Sequence, residues 1–184
     1  DTIKIGRRGS FTGTLIVKGI QGHVGYPNLA ENPINSLLKM LEPFAKIYLD
    51  KGTNEFQPSS VMITTIDVNN DASNVIPGEV KAKFNIRFNT LHSVSSLQSM
   101  LKNQFDAITK NYQFDYFCNA EPFLTSDEEL KSTLQNAITK VVNVNPEQST
   151  TGGTSDARFI TKLCPVIEFG LVGKTMHKID ENVE

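Results

Sequence analysis

A chain of 184 residues with 39% hydrophobic and 21% charged side chains has the balance of a globular protein. Its formal net charge of −2 supplies no overall positive field, which argues against nucleic acid as a partner. No apolar run of about 18 residues is present to cross a membrane. Cys118 and Cys164 form neither a CxxC pair nor a metal-ligand spacing; both are expected as small buried residues of a reduced, cytoplasmic protein. The opening DTIKIG reads as mid-chain text rather than a leader. With the abrupt end MHKIDENVE, it leads to the expectation of a piece of a longer protein.

Residues 10–20, SFTGTLIVKGI, are rich in β-branched side chains and are expected as a strand. In 32–50, Asn32 is positioned to cap a helix starting at Pro33. Ile34, Leu37, Leu38, Leu41, Ala45 and Tyr48 recur there at helical spacing, and Pro43 is a point of bending or interruption. Residues 60–68 read as a second strand, followed by the polar loop NNDASN. In 79–89, Val80, Ala82, Phe84, Ile86 and Phe88 alternate with Lys81, Lys83, Asn85 and Arg87, the pattern of a half-buried antiparallel strand. Val94, Leu97, Leu101, Phe105 and Ile108 mark a second amphipathic helix over 94–110, and 112–118 a fourth strand. The order β-α-β-β-α-β over residues 10–119 predicts a ferredoxin-like α+β domain, with two helices on one face of an antiparallel sheet. The other face is expected to be polar or free to dock. Near residue 120 the pattern changes. Ser126 and Glu129 are expected as a capping box for a helix carrying Leu130, Leu134, Ile138 and Val141. A short helix over 155–163 and a buried strand PVIEFG follow, an incomplete α/β piece with too few elements to bury itself well.

Four stretches carry residues suited to chemistry. TTGGTSDARF, 150–159, has two glycines and then Thr154, Ser155 and Asp156 at a helix start. Free N–H groups there suit a carboxylate; the same text suits a plain glycine turn with an Asp cap. No G-x-S-x-G elbow marks a serine nucleophile. In GIQGHVGYP, 19–27, glycine beside His23 leaves the imidazole exposed and able to donate to a developing oxyanion; a histidine in a flexible surface loop reads the same way. His177 follows the apolar VIEFGLV and is a candidate metal ligand. A catalytic zinc takes about three protein ligands, and Asp180 and Glu181 lack the spacing to complete such a site. His92 is expected at the surface. Lys4, Arg7, Arg8 and Arg87 are either carboxylate forks or ordinary solvated charge, Arg87 projecting from the polar sheet face.

The order of these stretches decides between the readings. IGRRGSFTGTLIVKGIQGHVGYPNLAENPI, SNVIPGEV, FNIRF, TGGTSDARF and MHKIDE together closely resemble the dinuclear zinc amidohydrolase and aminopeptidase family. Within it they are most similar to the enzymes that remove succinate from a succinylated diamino diacid. The resemblance runs over nearly the whole chain. It implies a zinc-binding catalytic domain interrupted by a dimerisation domain. Residues 1–9 would end the first catalytic segment, 10–119 form the dimerisation domain, and 120–184 begin the returning segment. It implies zinc as cofactor, two ions per complete site, with His177 as the metal ligand in this chain. It implies that His23 reaches the partner subunit's active site and stabilises a tetrahedral oxyanion. Lys4, Arg7, Ser10, Tyr26, Asn74, Arg87, Gly153 and Thr154 match substrate-contacting positions. The implied partners are the small succinylated substrate and a second copy of the chain, bound through the 10–119 domain by its 32–50 segment and a sheet edge, with no nucleic acid and no membrane. Alone, the chain is expected to be inactive. Ser73, Ala157 and Gly173 depart from the family's usual residues, and Gly173 stands where an asparagine often contacts substrate. The alternatives are a related deacylase, such as acetylornithine deacetylase, or a non-catalytic ferredoxin-like assembly module.

Overall fold

The computed structural model describes residues 2–170, 173, 175–176 and 178–182. Its elements in chain order are β1 (Thr2–Lys4), β2 (Gly6–Arg7), β3 (Gly9–Lys18), β4 (Gly22–His23), α1 (Pro33–Leu41), β5 (Ser60–Asp67), β6 (Val75–Ile76), β7 (Glu79–Phe88), α2 (Val94–Asp106), β8 (Tyr112–Ala120), β9 (Phe123–Leu124), α3 (Glu128–Val142), β10 (Glu147–Ser149) and α4 (Ala157–Ile160). They fall into two compact units, Arg8–Pro122 and the segment pair Asp1–Arg7 with Phe123–Glu184.

In the Arg8–Pro122 unit, four antiparallel strands lie in the order β5-β7-β3-β8. The spine is the β3–β7 ladder, paired without a break from Gly9↔Phe88 to Lys18↔Glu79. Side chains alternate across a strand, so this register gathers Phe11, Leu15, Val17, Val80, Ala82, Phe84, Ile86 and Phe88 on one face. α1 and α2 cover that face with Leu37, Met40, Leu41, Leu97, Leu101 and Phe105, all in the same buried cluster. Gly13 is glycine because a Cβ there would lie 2.3 Å from the Phe84 ring. The space lets Phe84 stack on Phe114 and meet Phe44 edge-on. The opposite face carries Thr12, Thr14, Lys81, Lys83, Asn85, Arg87 and Phe117, the last 66% exposed.

Local chemistry sets the helix ends. The Asn32 side chain accepts the Ile34 N–H at 3.0 Å, with Pro33 at the first turn. α1 stops at Leu41 and tightens into a 3-10 turn, Glu42–Lys46, because Pro43 has no N–H for another α-turn. Ala45 and Tyr48 are therefore exposed rather than extending the buried stripe. α2 is capped by Ser93 and ends at Asp106, short of the expected residue 110. Beyond α1, the 47–59 segment is held by Asp50. Its carboxylate accepts from the Gly52 N–H at 2.6 Å, the Ser59 N–H at 3.1 Å and Asn89 Nδ2 at 2.9 Å. His92 Nε2 lies 3.1 Å from the same carboxylate, so His92 belongs to this polar hub rather than to open surface.

In the second unit, β1 pairs in parallel with β10 and β2 antiparallel with β9. Ile3, Ile5 and Ile138 of α3 form a small buried cluster. The α3 cap is Asp127, which accepts the Leu130 N–H at 2.8 Å, one residue later than the expected Ser126. A carboxylate is the better acceptor beside the positive end of the helix dipole. α4 is a single turn, and among the described residues, 165–170 pair only through a bridge from Glu168 to Lys4; Pro165 cannot donate to a ladder. Cys164, expected inside, is exposed, and both cysteines are free. Val141, Leu163 and Ile179 are 81%, 88% and 93% exposed, in keeping with a unit that has few layers to cover its apolar side chains.

Burial alone would raise the Asp50 carboxyl, but hydrogen bonds from Ser59, Gly52 and Asn89 together outweigh it and hold the pKa below the ordinary 3.8. A depressed carboxylate contributes stability that is complete above its unfolded pKa and lost as pH falls through the folded one. Thermal melts from pH 7 downward are expected to show constant stability near neutrality and a decline below about pH 4. Asp50→Asn should lower the melting temperature at pH 7 and flatten that acid decline; an unchanged slope would remove Asp50 from the acid limb.

Candidate functional site

The Asp1–Arg7 and Phe123–Glu184 unit contains a cleft of about 500 Å³ lined by Lys4, Arg7, Gly152, Gly153 and Glu168 among others. Lys4 closes β1, and its Nζ donates to Thr151 Oγ1 at 2.7 Å and Ser149 Oγ at 3.3 Å. Arg7 ends β2; its Nε donates to Glu168 Oε2 at 2.7 Å and its Nη1 to the Thr151 carbonyl at 2.9 Å. Burial, reinforced by the Arg7 charge, pulls the Lys4 ammonium below its ordinary pKa, with Glu168 opposing. The loop reaches Arg7 this closely because Gly152 takes φ +106° and carries no Cβ, which would lie 2.5 Å from Arg7 Nη1. Among the described residues, nothing lies within 4 Å of a Cβ built on Gly153. Thr154 is half-buried just before α4. Two cations, a carboxylate and a glycine loop in one open cleft can hold a small anion.

The Arg8–Pro122 unit holds two further groups. His23, Tyr26 and Asn74 form one cluster beyond the Lys18 end of β3. β4 pairs His23 with Val75 of β6, the Val24 N–H donates to the Asn74 carbonyl at 3.1 Å, and the His23 and Tyr26 rings are 5.8 Å apart. The Gly25 N–H donates to His23 Nδ1 at 3.0 Å. An Nδ1 that accepts leaves the neutral ring's proton on Nε2, so this exposed imidazole is a donor through Nε2–H. Ser10 and Arg87 are cross-strand partners at the other end of β3. Ser10 is buried and its Oγ accepts from Asn85 Nδ2 at 3.3 Å. Arg8 donates to the Pro58 carbonyl at 3.1 Å, and burial first, then the Arg87 charge, lowers its pKa. At the rise of an extended strand, Ser10 and Lys18 are ~25 Å apart, so one small substrate cannot span from the Ser10–Arg87 pair to the His23 cluster of the same unit.

His177 lies outside the described residues. Among the described residues, no three His, Cys, Asp or Glu side chains converge as a metal centre would require, so these residues do not by themselves fit zinc. Sequence reasoning did not single out Glu168 or Thr151. An acidic residue inside the apolar VIEFG was the only signal for Glu168; Thr151 acts through its carbonyl to Arg7 and its hydroxyl to Lys4, long-range pairings that no local pattern reveals.

A family model described as a peptidase dimerisation domain matches residues 5–113, more than half of the chain. The chain belongs to the peptidase dimerisation-domain family. Outside the match lie β1, most of β8 and the segment from β9 onward. The chain is 51% identical over 187 residues to a succinyl-diaminopimelate desuccinylase from Pelagibacter ubique, covering 100% of this chain and 49% of that protein. It is 48% identical over 186 residues to one from Parvibaculum lavamentivorans, covering 99% of this chain and 47% of that protein. It thus spans about half the length of the curated relatives it matches. Among solved structures it superposes on a tripeptidase from Staphylococcus aureus with TM-score 0.78 at 15% identity, covering 98% of this chain and 48% of that one. A metallo-carboxypeptidase of the M20 family from Sulfolobus solfataricus gives TM-score 0.78 at 16% identity, covering 99% and 55%. At these identities the two structures speak for the fold alone. No helix among the described residues is long and apolar enough to cross a membrane.

Two adjacent glycines are expected to respond differently. Gly152→Ala forces a Cβ into Arg7 at a positive φ and should destabilise the protein by on the order of 1–2 kcal/mol. Gly153→Ala, with no described residue within 4 Å of the added Cβ, should leave the melt near wild type. Paired denaturant melts check this, and equal effects would show that Gly152 is not the close approach described.

Proposed function

We propose that the full-length protein containing this chain is a zinc-dependent amide hydrolase. It cleaves N-succinyl-LL-2,6-diaminopimelate to succinate and LL-2,6-diaminopimelate, in lysine and diaminopimelate biosynthesis. The observation that carries this reading is 48–51% identity to succinyl-diaminopimelate desuccinylases over nearly the whole chain. The chemistry agrees with it. A substrate with several carboxylates suits a cleft with Lys4, Arg7 and the Gly153–Thr154 loop, and a second cationic position at Arg87 beside Ser10. Tyr26 and Asn74 would contact substrate from the His23 cluster. His23, with its free Nε2–H, is the donor to the tetrahedral oxyanion. The span of β3 between His23 and Arg87 supports the reading that His23 serves the partner's active site. Residues 1–9 and 120–184 belong to the catalytic domain, and 10–119 form a ferredoxin-like dimerisation domain, to which the strand order of the sheet lends support. The zinc ions rest on ligands beyond the described residues, with His177 proposed as one of them. Two free cysteines suit the reducing cytoplasm as its setting.

The test is hydrolysis by the zinc-loaded full-length enzyme of N-succinyl-diaminopimelate beside N-acetylornithine. Preference for the succinyl amide is expected, and His23→Ala should lower kcat by roughly 10²–10³-fold while dimerisation persists. Preference for acetylornithine would replace this substrate, and no hydrolysis of either would withdraw the activity.

The second copy is proposed to dock on the β5 edge and α1. β5 is an edge strand with Met62, Ile63 and Ile66 exposed, and Leu38 of α1 is 57% exposed. The start of β5 already bonds the 47–49 segment through Val61 N–H to the Ile47 carbonyl, and the edge beyond Val61, with its exposed apolar side chains, suits strand addition. Ile63→Lys is expected to shift the full-length protein toward monomer in analytical ultracentrifugation at micromolar concentration. An unchanged dimer would move the interface elsewhere.

A further inference from the structure

We propose that Glu168 is a positioning residue: it holds the Arg7 guanidinium ready for a substrate carboxylate. This rests on the reading of the cleft as a carboxylate site. Glu168 Oε2 takes the Arg7 Nε–H at 2.7 Å, and the Thr151 carbonyl takes one Nη1 hydrogen at 2.9 Å. A guanidinium has five N–H donors in a rigid plane. Among the described residues, both Nη2 hydrogens and the second on Nη1 are left for an incoming anion. Glu168 is itself fixed by backbone, since its N–H donates to the Lys4 carbonyl at 2.9 Å and the Lys4 N–H donates back at 2.8 Å. The support therefore runs from the backbone of β1 to Glu168 and on to Arg7, a rotamer-rich side chain that would otherwise have to be ordered when substrate binds.

The charges agree with this role. Among the described lining residues, Lys4 and Arg7 carry two positive charges and Glu168 one negative, a net of one positive charge. That suits a single carboxylate better than a doubly charged anion. The Lys4 ammonium is held by the hydroxyls of Ser149 and Thr151, whereas the Glu168 carboxylate takes its hydrogen bond from Arg7, so the acid's side-chain contact is with Arg7. The Arg7 and Glu168 side chains are only 16% and 26% exposed, which protects the pair from solvent screening.

The experiment is steady-state kinetics on the zinc-loaded full-length enzyme with N-succinyl-diaminopimelate, comparing Glu168→Ala, Glu168→Gln, Arg7→Ala and the double variant Arg7→Ala/Glu168→Ala. Glu168→Ala is expected to raise KM about tenfold with kcat within about twofold, the pattern of lost uniform binding. Glu168→Gln keeps an oxygen for the Nε–H and should stay within about threefold of wild-type KM. The double variant should have a KM no higher than Arg7→Ala alone, because Glu168 acts only through Arg7. A wild-type KM for Glu168→Ala alongside a raised KM for Arg7→Ala would overturn the positioning role and leave the cleft reading intact. A double variant clearly worse than Arg7→Ala would also overturn it. A wild-type KM for Arg7→Ala would remove the cleft reading and this inference together.

Discussion

The unbroken ladder between β3 and β7 is the constraint on which the Arg8–Pro122 unit depends. A slip of one residue would turn every side chain of β3 to the wrong face. The helices would then meet Thr12 and Thr14 instead of Phe11 and Leu15. Gly13 helps lock the register, because only opposite a residue without Cβ can the Phe84 ring lie flat against the sheet. The same ladder decides where chemistry is available. It sets Arg87 opposite Ser10 at one end and carries the chain to His23 at the other. A packing requirement thereby separates two groups of polar residues by the length of a strand.

The second unit is organised by charge more than by apolar burial. Its buried cluster is small, and its short strands pair by two or three residues each. What orders the cleft is a set of polar bonds around Thr151, whose carbonyl receives Arg7 and whose hydroxyl receives Lys4. Two like charges drawn to one residue repel, and burial adds to the cost; Glu168 offsets part of it from the neighbouring bridge position. Gly152 then permits the close backbone approach.

His23 illustrates how backbone geometry prepares a side chain. A turn places the Gly25 N–H on Nδ1, and this single bond chooses the tautomer. The exposed nitrogen is left as a donor. The polar hub around Asp50 uses the same economy for a different end. Four donors converge on one carboxylate and tie the segment after α1 to the turn after β7.

Local pattern alone determined much of this protein. Strict alternation in 79–89, the Asn32–Pro33 start and the β-branched run of β3 are short-range statements about which face is buried and where a helix begins. They are legible because propensity and burial agree there. Pro43 likewise announced the end of α1. The start of α3 was misplaced by one residue: the expected Ser126–Glu129 capping box gave way to Asp127, whose carboxylate takes the helix end. The candidate residues were visible as types, Lys4, Arg7, His23 and Arg87 among them, but not their surroundings. Arg7 and Glu168 are 161 residues apart in sequence, and no local pattern joins them. Cys164, apolar by type, is exposed because the one-turn α4 gives it nothing to pack under. Only the tertiary structure could decide such pairings and exposures, because burial and hydrogen-bond partners are properties of what the rest of the chain brings alongside, not of the residue itself.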